Sequence, residues 1–311
     1  VELPLNQILL GDALGVLRTL PDNSIDACVS SPPYWNLRNY GVVGQLGNEP
    51  TMGEYIQSIV AVFAEVRRIL KPQGTCWVNL GDTYASASAT TRRNVVGNGP
   101  IKKGTHRPNR LTDGLKEKDL CMIPHRTAIA LQDGGWYVRQ DLIWHKSNAM
   151  PDPTRDRCSR SHEYIFLLAK SKKYFFDQEA IKEKCLSGIR TCSNKKYDGQ
   201  KGMSGKDLGR YVRRETRIKR SVWTIATKPC KEAHFATFPI DLPTLCIKAG
   251  SPEGGIILDP FMGAGTTALA ALQLNRNFIG IELNPEYRQI ALDRLRLAPK
   301  DRIGKVEALC C

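Results

Sequence analysis

A chain of 311 residues, 41% of them hydrophobic, is long enough for one large domain carrying an insertion or for two modest domains, and its composition suits a packed core. No apolar run approaches membrane-spanning length and no signal peptide is visible, while ten cysteines without C-x-x-C spacing exclude a disulfide scaffold and point to a reducing, intracellular setting. The net charge of +14 asks for a polyanionic partner, and it is unevenly placed: residues 184–231 hold fourteen Lys and Arg against three Asp and Glu.

The chain starts at Val1 without an initiator Met, as a fragment of something longer would. Gly11-Asp12 comes first among the candidate features, with Asp12 placed to cap a helix over residues 13–20. Residues 24–30 are apolar and β-branched enough for a buried strand, and Ser31-Pro32-Pro33-Tyr34 then forces the chain out at its carboxyl end. Thr51 and Glu54 have capping-box spacing ahead of an apolar stripe at Ile56, Ile59, Val60, Phe63, Val66, Ile69 and Leu70. Residues 71–74, Lys-Pro-Gln-Gly, should stop that helix and turn into a strand over 75–80.

A polar stretch at 86–119 follows, with Arg92, Arg93, Lys102, Lys103, Arg107 and Arg110 among glycines and prolines, and it reads as a long mobile loop near the sheet edge that carries Ser31. Residues 141–146 and 161–166 are strand-like and are expected to be scaffold, with Trp144 or Lys146 as candidates to line a pocket. Beyond the basic segment, residues 255–259 form a strand pattern ending in Asp259. The turn Pro260-Phe261-Met262-Gly263-Ala264-Gly265 and a helix over 266–274 come next. A strand over 277–282 ends in Glu282, and a last helix over 285–297 should turn Tyr287, Ile290, Ala291 and Leu295 inward.

Chemistry concentrates at two of these points. Pro32 and Pro33 present rigid carbonyls without N–H groups, Ser31 offers a hydroxyl, and Tyr34 offers a flat face with a polar tip. Acceptors of this kind can take the N–H groups of an exocyclic amine and aim its lone pair at an electrophilic methyl. A base must leave the duplex to reach such a pocket, where Tyr34, and Trp35 beside it, could stack on it. The strand, glycine turn and helix around Gly263, Gly265, Thr266 and Thr267 suit a cofactor brought close to backbone, with Glu282 where a ribose-binding acid belongs. The same turn satisfies the loose dinucleotide fingerprint, so alone it would fit NAD; its place near the C-terminus and its pairing with Ser-Pro-Pro-Tyr decide for S-adenosylmethionine.

With both halves read, the chain resembles a β-class S-adenosylmethionine-dependent DNA amino-methyltransferase, in which the catalytic motif precedes the cofactor motif. The resemblance implies a Rossmann-like α/β fold with an inserted basic target-recognition region. Residues 1–178 would be its catalytic part, 179–233 the recognition region, and 234–311 the cofactor-binding part of the same domain. It also implies that Asp12, Asp259, Phe261, Gly263, Gly265, Thr266, Thr267, Glu282 and Asn284 hold the cofactor. Phe235 and Phe238 of the H-x-A-x-F-P segment would pack around its methionine end. Ser31, Pro32, Pro33 and Tyr34 would hold and activate the base, and the Ser-Pro-Pro-Tyr form implies cytosine N4, with adenine N6 as the alternative.

For the DNA partner, taken as double-stranded, the expected contacts are Arg210, Arg213, Arg214, Arg217, Lys219 and Arg220. No membrane partner is expected, relatives in the family suggest a possible homodimer, and the location would be the nucleoid or, in a eukaryote, the nucleus. Cytosine C5 chemistry would need a cysteine nucleophile; Cys230, in the only Pro-Cys pair, lies in a basic stretch without an acid partner motif and reads as a small apolar residue. No metal site is expected, because the run from Cys158 to His162 lacks a second ligand pair. A non-catalytic nucleic-acid binder, or a methyltransferase of RNA or protein, remains a rival reading.

Overall fold

Parallel strands buried on both faces should be continuously apolar, and the carboxyl-terminal ones are: β9 (Ile256–Asp259) and β10 (Asn277–Glu282) are almost wholly buried. The computed structural model describes residues 2–37, 40–86, 111–191, 212–228 and 238–298. Besides those two strands it contains β1 (Gln7–Leu10), β2 (Ile25–Ser30), β3 (Leu70–Leu80), β4 (Tyr137–His145), β5 (His162–Ala169), β6 (Glu183–Thr191), β7 (Val212–Arg217) and β8 (Val222–Thr224). The helices are α1 (Ala13–Leu17), α2 (Met52–Ile69), α3 (Ile123–Asp133), α4 (Asp241–Gly250), α5 (Thr266–Gln273) and α6 (Pro285–Leu297).

Eight strands form one sheet in the order β1-β10-β9-β2-β3-β5-β4-β8. The first five are parallel, β5 runs antiparallel to both β3 and β4, and β8 adds in parallel to β4. One face is covered by α1, α2 and α3 through Leu17, Phe63, Val66 and Leu131. The other is covered by α4, α5 and α6 through Leu242, Ile247, Ala268 and Ala291. This is a Rossmann-like α/β architecture. Its reversal lies between β9 and β2: the chain leaves β9 through α5 toward β10, and leaves β2 through α2 toward β3, on the opposite face. The carboxyl ends of β9 and β2 therefore open into a crevice where such sheets bind ligands.

Local signals explain the key elements. Thr51 and Glu54 form both halves of the capping box at the start of α2, and Asp113 accepts from Met52 N at 3.0 Å beside it. The turn expected at residues 71–74 is absorbed into β3. Leu70 pairs with Ile25 and Thr75 with Ala27, so the four residues bulge from the ladder while Lys71 reaches Asp26 at 2.8 Å. Most of the polar stretch, residues 87–110, lies outside the described residues. Its returning limb is tied down by Ala85 N to Asp119 O at 2.8 Å and Cys121 N to Thr83 O at 2.9 Å.

The basic segment divides. β6 and β7 make a separate two-stranded antiparallel sheet, whereas β8 belongs to the main sheet and buries Trp223 against Trp77, ring centroids 6.2 Å apart. Among the described residues no helix is long and apolar enough to cross a membrane, and no group of three or more His, Cys, Asp or Glu could hold a metal ion.

Candidate active site

β2 ends in a serine pair with different fates. Ser30 turns into the sheet and donates to Asp259 Oδ1 at 2.6 Å, while Ser31 begins the tetrapeptide that faces the crevice. Thr267 Oγ1 donates to Asp259 Oδ2 at 2.6 Å and Phe261 N to Asp259 Oδ1 at 3.0 Å. Asp259 thus joins the two chain segments that the reversal brings together. Burial pushes its carboxyl up to about 6, against the pull of the Ser30, Thr267 and Phe261 donors.

A carboxyl raised from 3.8 to about 6 on folding stabilises the fold below its unfolded value, and that contribution is lost as pH rises through 6. Wild type should therefore lose about 2 kcal/mol relative to Asp259→Asn between pH 4 and pH 7. Urea unfolding of both proteins at the two pH values measures this, and a constant difference would refute it.

The glycine turn after β9 folds back on the end of β10. Gly263 N donates to Glu282 Oε2 at 2.7 Å and Asn284 N to Glu282 Oε1 at 2.9 Å, while Asn284 caps α6 by accepting from Glu286 N. Burial raises the Glu282 carboxyl, and the Asn284 and Gly263 amides oppose that rise. Gly265 has φ +78°, and a Cβ there would stand 3.0 Å from Ala291 Cβ, so this glycine serves the approach of α6 rather than a ligand.

One cavity of about 680 Å³ joins the two ends of the crevice. Near β9 and β10 it is lined by Asp12, Phe238, Phe261, Gly263, Thr266, Glu282 and Asn284. Toward β3, β4 and β5 the lining is Ser31, Pro32, Pro33, Tyr34, Asn79, Trp144, Lys146 and Glu163. Asp259, Gly265 and Thr267 do not reach its surface, because the carboxylate is consumed by its neighbours behind the turn. Phe235 lies outside the described residues. Asp12 does cap α1, accepting from Gly15 N at 2.8 Å, and lines the cavity as well. Trp35 is core: 1% exposed, with its ring N–H donated to Glu49 O. Tyr287 and Ile290, expected inward on α6, face the cavity instead.

Two polar residues missed in the sequence stand at the Ser31 end. Asn79, 3% exposed at the end of β3, donates to Tyr34 Oη at 2.8 Å and to Glu163 Oε2 at 2.9 Å. Glu163 on β5 accepts from Tyr34 Oη at 2.8 Å and pairs through its other oxygen with Lys146. A scaffold reading of β4 and β5 therefore gives way to one in which Lys146 and Glu163 form part of the wall. Burial, then the Glu163 charge, hold the Tyr34 hydroxyl well above its ordinary value, so it stays a donor. A polar residue inside each apolar strand was the available signal.

A model of the DNA methylase family matches residues 25–293, from the start of β2 into α6, so both motifs fall inside it. The chain belongs to this family. Type II methyltransferase M.Cfr9I of Citrobacter freundii is 44% identical over 92% of this chain and 86% of its own length. The fold is similar to that of the PvuII DNA methyltransferase (cytosine-N4-specific), with TM-score 0.64, 19% identity, and coverage of 95% of this chain and 87% of that one. It is also similar to TTHA0409 of Thermus thermophilus complexed with S-adenosyl-L-methionine, with TM-score 0.59, 22% identity, and coverage of 96% and 94%.

A DNA methylase must also meet the phosphate backbone, and the basic residues expected to do so are unequal. Glu183 gathers Arg217 at 2.7 Å, Arg220 at 3.1 Å and Lys219 at 3.9 Å. Burial opposes its ionisation, but the Arg217 and Arg220 guanidiniums outweigh that and hold its carboxyl low. Of the three cations only Arg220 is well exposed, at 66% of its side chain, so Arg217 and Lys219 are in part structural. Arg213 and Arg214 sit on β7 opposite Arg190 and Ile189. Arg210 lies outside the described residues.

Proposed function

We propose that this DNA methyltransferase moves a methyl group from S-adenosylmethionine to the exocyclic N4 amino group of a cytosine flipped out of duplex DNA. The observation that carries the reading is the single cavity shared by the Ser31 tetrapeptide and the Glu282-braced glycine turn. Its volume of about 680 Å³ and its aromatic lining with a few convergent polar groups suit a nucleoside-sized cofactor beside a base. Bound there, S-adenosylmethionine supplies an electrophilic methyl carried on a sulfonium.

The chain's own residues then divide the work. The Glu282 carboxylate, braced by two backbone amides, keeps lone pairs for ribose hydroxyls, and Asp12 offers a carboxylate at the adenine end. Phe238 and Phe261 cover apolar parts of the cofactor, while Asp259 and Thr267 hold the turn from behind. Ser31 Oγ and the Pro32 carbonyl accept the two amino N–H groups, which turns the nitrogen lone pair outward for in-line transfer. Tyr34 stacks on the flipped base. No residue of the tetrapeptide is a strong base, and the proton leaves to water after transfer.

Cytosine is favoured by the serine at position 31, since the Ser-Pro-Pro-Tyr form of the motif resembles that of cytosine-N4 enzymes. Within the recognition segment 179–233 the part outside β8 meets the DNA, with Arg220 as its most exposed described cation among the expected contacts.

Mixed-sequence duplex DNA incubated with methyl-labelled S-adenosylmethionine, digested to nucleosides and analysed by mass spectrometry, should yield N4-methyldeoxycytidine. N6-methyldeoxyadenosine would overturn the base assignment. Label in RNA and none in DNA would overturn the substrate class.

A further inference from the structure

We infer that Glu163 is a positioning residue for methyl transfer, setting the plane of the Tyr34 ring through the phenolic hydroxyl while Gly81 supports that ring from behind. The inference rests on the reading of Tyr34 as the platform for the flipped base.

A stacking platform works only if it holds still, and a tyrosine rotates about two side-chain bonds. Here each freedom is removed by a named partner. The hydroxyl donates to Glu163 Oε2 at 2.8 Å and accepts from Asn79 Nδ2 at 2.8 Å, and the same amide donates to Glu163 Oε2 at 2.9 Å, closing a triangle around the phenol tip. A Cβ added at Gly81 would lie 2.4 Å from Tyr34 Cε2 and 2.9 Å from Cδ2, so the ring lies against bare backbone that only glycine provides. Upstream, the Tyr55 hydroxyl donates to the Pro33 carbonyl at 2.9 Å and fixes the tetrapeptide's own chain.

The second oxygen of Glu163 pairs with Lys146, whose ammonium stands 4.5 Å from the centre of the Trp144 ring. Oε2 of Glu163 takes two donors and Oε1 faces the Lys146 ammonium, so the carboxylate's tie to the base platform runs through the Tyr34 hydroxyl. Because the single phenolic proton is committed to Glu163, and Asn79 and Ser31 both address the phenolic oxygen, Tyr34 offers the cavity its ring face and no donor. Side chains of Glu163 and Lys146 are only 16% and 21% exposed. Burying such a pair is a poor route to stability but a good one to a single geometry.

Tyr34→Phe, Glu163→Ala and their double variant form a cycle that tests this in the full chain. Single-turnover methyl transfer to duplex DNA should fall about tenfold to a hundredfold in each single variant, since small misplacements at a reacting centre carry losses of that size. The double variant should be no slower than the slower single one, because both remove the same contact. The affinity for S-adenosylmethionine, measured by calorimetry, should stay within about twofold. Glu163→Gln, which keeps an acceptor for the phenol, should recover most of the rate.

Losses that multiply in the double variant, or a Glu163→Gln variant as slow as Glu163→Ala, would overturn the inference. A matching cycle on urea unfolding reads the Tyr34–Glu163 contact without any turnover, and additive effects there would overturn it as well. Methylation of adenine instead of cytosine by wild type would refute the base assignment alone, and both cycles would still report on Glu163.

Discussion

Ser31→Ala should lower the single-turnover rate of methyl transfer by about a hundred- to a thousandfold, the usual loss when one preorganised hydrogen-bond partner of a reacting centre is removed. The expectation follows from how little else the substitution changes. Pro32 and Pro33 fix the backbone on one side, and on the other Ser30 stays anchored to Asp259 at 2.6 Å, so the chain keeps its course without the Ser31 hydroxyl. Ser31 Oγ lies 3.4 Å from the Asn79 amide and shares a further side-chain hydrogen bond with the Tyr34 hydroxyl, which keeps its Glu163 and Asn79 partners when the Ser31 hydroxyl is removed. The loss should therefore appear in the rate of the bound complex. The affinity for S-adenosylmethionine should stay within about twofold, because the cofactor end of the cavity is untouched. Rapid quench with labelled cofactor, with calorimetry alongside, separates the two quantities. An unchanged rate with weakened cofactor binding would remove Ser31 from the chemistry.

How much of this could be read from the chain depended on how far away each residue's partner lies. The capping box of α2 links residues 51 and 54, and it was legible because both halves fall in one turn. The strand, glycine turn, helix and strand from β9 to β10 were legible for the same reason, since apolar runs and turn residues lie next to each other. Asn79 and Glu163 sit 84 residues apart and meet only when β3 pairs with β5 in antiparallel register. Locally each is a polar residue interrupting an apolar strand, a signal that names neither its partner nor its role. Asp259 shows the converse. An acid ending a strand before a glycine turn reads as a ligand contact, yet Ser30, 229 residues earlier, and Thr267 take up its oxygens. The basic cluster was legible in sign but not in availability, because Glu183 lies 34 residues before Arg217 and is brought against it by the β6–β7 pairing.

Glu282→Ala should weaken S-adenosylmethionine binding by about a hundredfold or more, since hydrogen bonds to a charged acceptor are each worth roughly 1.5–3 kcal/mol and a ribose diol offers two. Two effects act together. The ligand loses its acceptor, and the Gly263 and Asn284 amides lose theirs, so the turn that shapes the cavity floor loosens. Glu282→Gln separates these effects, because an amide oxygen can still accept one backbone N–H but presents neither the charge nor the second acceptor. Its loss should fall between wild type and alanine. The acid side of the pH profile offers an independent check. Burial raises this carboxyl, so protonation begins at a higher pH than for an ordinary glutamate, and the protonated form accepts fewer hydrogen bonds. Cofactor affinity of the wild type should therefore decline as pH is lowered, whereas that of Glu282→Ala should lose this dependence. Calorimetric titration of both proteins across that range measures it. Wild-type affinity in the alanine variant would mean that Glu282 braces the turn without touching the cofactor.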